Sequence, residues 1–160
     1  MLHLLLKNRS ILSSMADQKS LDRVFLEMAT SFASLSKAVR RKVGCIIVND
    51  GQVISNGFNG TPSGFDNNCE EFDNTAAYPG GLVTKAEVLH AESNALMKLA
   101  MSTNSSKGAT MYLTCAPCFD CSKLIIQSGV VRVVYSEGYR CLNGVALLQR
   151  ANIIVEQYEK

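Results

Sequence analysis

The chain has 160 residues, of which 47% are hydrophobic, with sixteen Lys and Arg against fourteen Asp and Glu. That length and apolar content suffice for one domain with a buried core, and no shift in composition marks a second. A net charge of +2 falls far short of the surplus expected where a polynucleotide backbone is the main partner, so a small ligand is favoured.

Residues 1–14 include the apolar stretch LHLLL, which is too short for a signal-peptide core or a membrane span. They read as an N-terminal extension, with disorder one expectation for it, and residues 15–160 as a single folded domain. From Ser20 to Leu35 the residues Leu21, Val24, Phe25, Met28, Phe32 and Leu35 recur at helical spacing. After Arg40-Arg41-Lys42, the extended runs VGCIIV and QVISNGF flank Asn49-Asp50-Gly51 and predict an antiparallel hairpin. Asn59 to Ala86 is rich in Gly, Pro, Asn, Asp and Ser and shows no period; a loop of that length in a compact domain usually has a task, such as covering a site.

A second helix is expected from His90 to about Met101, then the strand ATMYLTC. Pro117 suits the first turn of a third helix, CFDCSKLIIQS, which Gly129 terminates. The strand VVRVVYS, a helix from Gly144 to Arg150 and the strand NIIVEQY complete the order α-β-β-α-β-α-β-α-β. This predicts an α/β three-layer α-β-α sandwich with a mixed five-stranded sheet, whose helical crossovers make the last three strands parallel.

Two motifs carry the chemistry: His90-Ala91-Glu92 and Pro117-Cys118-Phe119-Asp120-Cys121, each at the predicted start of a helix. Cys118 and Cys121 are three apart and share a helical face, and the positive helix N-terminus favours the thiolates a metal requires. Two of the six cysteines thus sit in PCxxC, and metal ligation is favoured over a disulfide framework. With His90 as third ligand, one zinc ion keeps an open position, the pattern of a catalytic site. Glu92, two residues beyond His90, is better placed beside a bound water than as a ligand, and is the expected proton shuttle. Cys45, Cys69, Cys115 and Cys141 lack a partner at ligand spacing and read mostly as small buried hydrophobes.

HxE followed by PCxxC is the recurring signature of zinc nucleobase deaminases. The chain resembles the deoxycytidylate deaminases, within the cytidine deaminase-like superfamily, from about Leu21 to Val155. The resemblance rests on His90-Ala91-Glu92-Ser93-Asn94-Ala95, SxxxRxxVG at Ser36 to Gly44, GFNGTPSG at Gly57 to Gly64 and CSKLIIQSGV at Cys121 to Val130. It implies hydrolytic deamination of dCMP to dUMP and ammonia, supplying thymidylate synthesis in the cytoplasm, or the host cytoplasm for a viral protein.

The resemblance also implies that Asn59 hydrogen-bonds the sugar, that Arg40 and the Tyr139-Arg140 pair hold the 5'-phosphate, and that the Ala91 amide faces the base oxygen. Arg41 is a weaker phosphate candidate. Homohexamers activated by dCTP and inhibited by dTTP are a further implication, with no nucleic acid or membrane partner. The loop from Phe65 to Ala86 lacks the Cys and His cluster that would hold a second metal, and Cys115 stands where relatives usually carry an apolar residue or His. Two other readings stay open. A polynucleotide deaminase shares both motifs but expects basic and aromatic groups, often past the last strand, where this sequence reads Gln157-Tyr158-Glu159-Lys160. A non-catalytic zinc- or nucleotide-binding module is opposed by the presence of Glu92.

Overall fold

The computed structural model describes residues 2–76 and 80–159. Met1 of the extension, residues 77–79 of the long loop and Lys160 lie outside them. The five-stranded sheet is built from β1 (Gly44–Asn49), β2 (Gln52–Phe58), β5 (Thr110–Cys115), β6 (Arg132–Glu137) and β7 (Ile154–Gln157), in the order β2-β1-β5-β6-β7. β1 runs antiparallel to β2 and β5, while β5, β6 and β7 are mutually parallel, the arrangement their helical crossovers predict. Asp50 and Gly51 both adopt positive φ, 47° and 74°, which closes the β1–β2 hairpin with the twist that two-residue turns require.

Alternation along the strands divides the core in two. Ile46, Val48, Tyr112 and Val134 face α1 (Leu2–Ala33) and pack on Phe25, Leu26 and Ala29. On the other side Cys45, Ile47, Met111, Leu113, Val133 and Tyr135 meet residues of α2 (Ala91–Ala100), α3 (Phe119–Gln127) and α4 (Asn143–Arg150). One helix on one face and three on the other give the α-β-α sandwich.

Two glycines set how closely the helices approach. A Cβ on Gly44 would lie 1.9 Å from the Ala29 carbonyl oxygen of α1, and one on Gly57 would lie 2.2 Å from the Ala91 carbonyl oxygen of α2. The VG and GFNG motifs therefore let both helices rest directly on strand backbone.

Three expectations change. The first helix begins at Leu2 and not near Ser20; nothing between Leu2 and Lys19 is Gly or Pro, so no residue there interrupts a helical backbone. The long loop contains a second small sheet, β3 (Glu70–Phe72) paired antiparallel with β4 (Leu82–Thr84). Strands of three residues are too short for alternation to register. Pro117 lies just outside the third helix, because Cys118 occupies the cap position ahead of the first helical residue. No helix among the described residues is long and apolar enough to cross a membrane.

Candidate active site

The side chains that could hold a metal sit at the starts of two helices on the same side of the sheet. His90 caps α2 and Cys118 caps α3, both in extended backbone conformation, with ψ of 159° and 171°. The Cys118 sulfur accepts the Cys121 N–H at 3.5 Å, so a sulfur does here what a Ser or Asp oxygen does at an ordinary helix start. His90 Nδ1 lies 3.4 Å from each of the two Sγ atoms. Tetrahedral bonds of about 2.3 Å to sulfur and 2.0 Å to nitrogen place such donors roughly 3.5 Å apart, so the three residues fit one small tetrahedral cation. Among the described residues they form the one group of three candidate donors within 4.8 Å of one another. They run from surface to interior: His90 exposed, Cys118 half-buried, Cys121 buried.

The electrostatics suit that role. A hydrogen bond from Cys121, outweighing the cost of burial and joined by His90, holds the Cys118 thiol down at about 4. The same pairing pushes Cys121 up, and the Cys118 hydrogen bond raises His90. Binding a metal would therefore release a proton from the raised Cys121 thiol. Glu92, in the first turn of α2, is 4% exposed. Burial drives its carboxyl up to about 7, against smaller opposing effects from its own backbone amide and from His90. A carboxyl with that value exchanges protons near neutral pH.

These residues open into a cavity of about 840 Å³, whose lining includes Arg40, Arg41, Asn59, Tyr139 and Arg140 as well as His90 and Glu92. The structure thus brings every sequence-predicted site residue to one cavity or to the three-donor group beside it. Ala91 opens α2, where backbone N–H groups have no intrahelical acceptor.

Asn59 has a structural task that the sequence did not disclose. Its Oδ1 accepts the Val43 N–H at 2.8 Å and its Nδ2 donates to the Arg41 carbonyl at 2.9 Å, bracing the entry into β1. The Ser36 hydroxyl in turn donates to the Asn59 carbonyl at 2.7 Å. One acceptor site and one N–H remain on the Asn59 amide. Arg40 donates from Nη1 to the Thr84 hydroxyl at 3.0 Å, and Arg41 pairs with Glu137 at 2.6 Å. The Arg140 guanidinium lies 5.5 Å from the centre of the Tyr139 ring.

Sequence reasoning missed two acidic residues beside these arginines, Glu70 and Glu137. Glu70 lies in a stretch without period and Glu137 at a strand end, so neither carried a local signal. Cys115, noted as a departure from the usual pattern, also lines the cavity, and burial raises its thiol above the ordinary range.

The sequence matches the family described as "Cytidine and deoxycytidylate deaminase zinc-binding region" over residues 19–137. It is 36% identical to the deoxycytidylate deaminase of Saccharomyces cerevisiae over 87% of this chain and 45% of that protein. With the deoxycytidylate deaminase of Schizosaccharomyces pombe the identity is 37%, over 96% of this chain and 48% of the other. The chain therefore spans about half the length of these curated relatives. Among solved structures, a dCMP deaminase from cyanophage S-TIM5, in complex with dCMP and dUMP, superposes with a TM-score of 0.78 at 40% identity, covering 87% of this chain and 97% of the other.

Proposed function

Because the chain belongs to the cytidine and deoxycytidylate deaminase zinc-binding family, we propose that it is a zinc-dependent hydrolase converting dCMP to dUMP and ammonia. The observation that carries this reading is the buried, near-neutral carboxyl of Glu92, two residues from the metal-binding His90 in a cavity that also presents Arg40, Arg41 and Arg140.

His90, Cys118 and Cys121 would hold the zinc ion, which when bound supplies Lewis-acid activation of water. Glu92 accepts a proton from the attacking water and passes it to N3 of the base, then takes the second from the hydroxyl formed at C4 and passes it to the departing amino group. The C4–N bond breaks, a C4 carbonyl forms and ammonia leaves. The Ala91 amide donates to the oxygen at C2 of the base and Asn59 to the sugar. Arg40, Tyr139 and Arg140 hold the 5'-phosphate, for which a guanidinium fork is the better match. The complex of the cyanophage relative with dCMP and dUMP supports this choice of substrate. Assembly as a hexamer, activation by dCTP, inhibition by dTTP and residence in the cytoplasm are part of the same proposal and rest on the family resemblance.

The test is turnover by purified, zinc-loaded protein of dCMP, deoxycytidine and a short single-stranded DNA, with and without dCTP. Turnover of dCMP, with deoxycytidine poor and the oligonucleotide inert, is the expected result. Deamination of the oligonucleotide with dCMP inert would overturn both the substrate and the phosphate roles of Arg40 and Arg140.

A further inference from the structure

We infer that Glu70 is a positioning residue that sets the preference for a 5'-phosphorylated substrate, by clamping the backbone of the segment that carries Arg40 and Arg41. This rests on the reading of dCMP as substrate.

Glu70 opens β3, outside both catalytic motifs, and is 5% exposed. It accepts two backbone N–H groups of the turn between α1 and β1: Val39 N at 3.0 Å to Oε1 and 3.1 Å to Oε2, and Arg40 N at 3.2 Å to Oε1. A buried carboxylate taken up by backbone amides fixes the course of that backbone, because losing it would leave two N–H donors without this charged acceptor.

The neighbouring contacts reinforce the same segment. Ala38 is buried in a small cluster with Cys69 and Val88, which anchors the turn on the residue just before Glu70. On the partner strand, Thr84 lies opposite Glu70 in register and accepts a hydrogen bond from Arg40 Nη1. One strand pair thus holds the Arg40 backbone with its first strand and the Arg40 side chain with its second. From the other end, Asn59 accepts the Val43 N–H and donates to the Arg41 carbonyl, so residues 39–43 are tied at both ends.

The consequence is directional. The base-side chemistry comes from the starts of α2 and α3, which Glu70 does not touch, whereas the arginines come from a loop whose path the β3–β4 pair dictates. Removing the clamp should therefore weaken recognition of the phosphate more than the chemistry at C4. The small sheet buried in the long loop is, on this reading, the device that separates nucleotide from nucleoside.

The experiment compares wild type, Glu70→Ala and Glu70→Gln, all zinc-loaded, on dCMP and deoxycytidine, with backbone hydrogen exchange of residues 38–42 measured in parallel. Loss of a charge-assisted hydrogen-bond pair should lower the ratio of kcat/KM for dCMP to that for deoxycytidine by about tenfold in Glu70→Ala, chiefly through KM. Glu70→Gln, which keeps one acceptor oxygen, should recover part of that ratio. Exchange at Val39 and Arg40 should rise in Glu70→Ala whatever the activity. A wild-type preference for dCMP that persists undiminished in Glu70→Ala would overturn the positioning role, and so would unchanged exchange. A wild type that does not distinguish dCMP from deoxycytidine would instead overturn the substrate reading, and the Glu70 role with it.

Discussion

Glu92 combines two properties that seldom coexist in a surface carboxylate: it is almost wholly buried, and it sits in the first helical turn beside a histidine aimed at two sulfurs. It is not among the three mutually close donors, so its removal should leave the metal in place. Glu92→Gln is expected to bind zinc at wild-type stoichiometry while turnover of dCMP falls by about 10²–10⁴-fold, the usual worth of a positioned proton carrier. Metal analysis and steady-state kinetics on the same sample check this; retained turnover would remove Glu92 from the mechanism. At this scale the sequence was informative because the chemistry is local. His90 and Glu92 are two apart, Cys118 and Cys121 three apart, and each pair lies within one helix start. Glu70 is the opposite case: its amide partners lie 30 and 31 positions earlier in the chain, and no local pattern could connect them.

At the scale of elements, the docking of α1 depends on one missing methyl group and one buried ion pair. An alanine at position 44 would drive its Cβ into the Ala29 carbonyl, which belongs to helix backbone and cannot rotate away. Gly44→Ala is expected to destabilise the fold by about 3 kcal/mol, measured by urea unfolding. Asp22 of α1, 4% exposed, receives both Arg132 nitrogens at 2.7–2.8 Å and the Tyr112 hydroxyl at 2.8 Å. Burial pushes its carboxyl up, but the hydrogen bonds from Arg132, Gln18 and Tyr112 outweigh this and hold it below its ordinary value of 3.8. The unfolded chain therefore binds the proton first, so Asp22 contributes fully above the unfolded value and loses its contribution as pH falls through the folded one. Asp22→Asn should cost about 3 kcal/mol at pH 7, since Arg132 keeps its charge without this partner. The gap between variant and wild type should narrow toward pH 3; a gap that stays constant would assign the stability to packing alone.

For the whole molecule, the strand directions were legible from connection type. A tight Asp-Gly turn joins the antiparallel pair and helices join the parallel strands, whereas the placing of β1 between β2 and β5 came from the structure. The three-residue strands and the unbroken run of α1 were not legible, because short strands carry no period and a helix without breakers shows no sequence boundary. That two motifs 28 residues apart would meet was legible only from their joint recurrence as a signature, and not from any local pattern. That meeting has a mechanical consequence. One donor comes from the start of α2 and two from the start of α3, so a bound cation cross-links helices that otherwise share few direct contacts with each other. Binding to the folded state alone adds about 4 kcal/mol when free zinc stands a thousandfold above its dissociation constant. Chelation should therefore lower the thermal midpoint of the wild type, and added zinc should restore it. His90→Ala should start at the lower midpoint and respond to neither treatment. A wild type whose unfolding is indifferent to chelator would mean that these three side chains do not hold the ion in common.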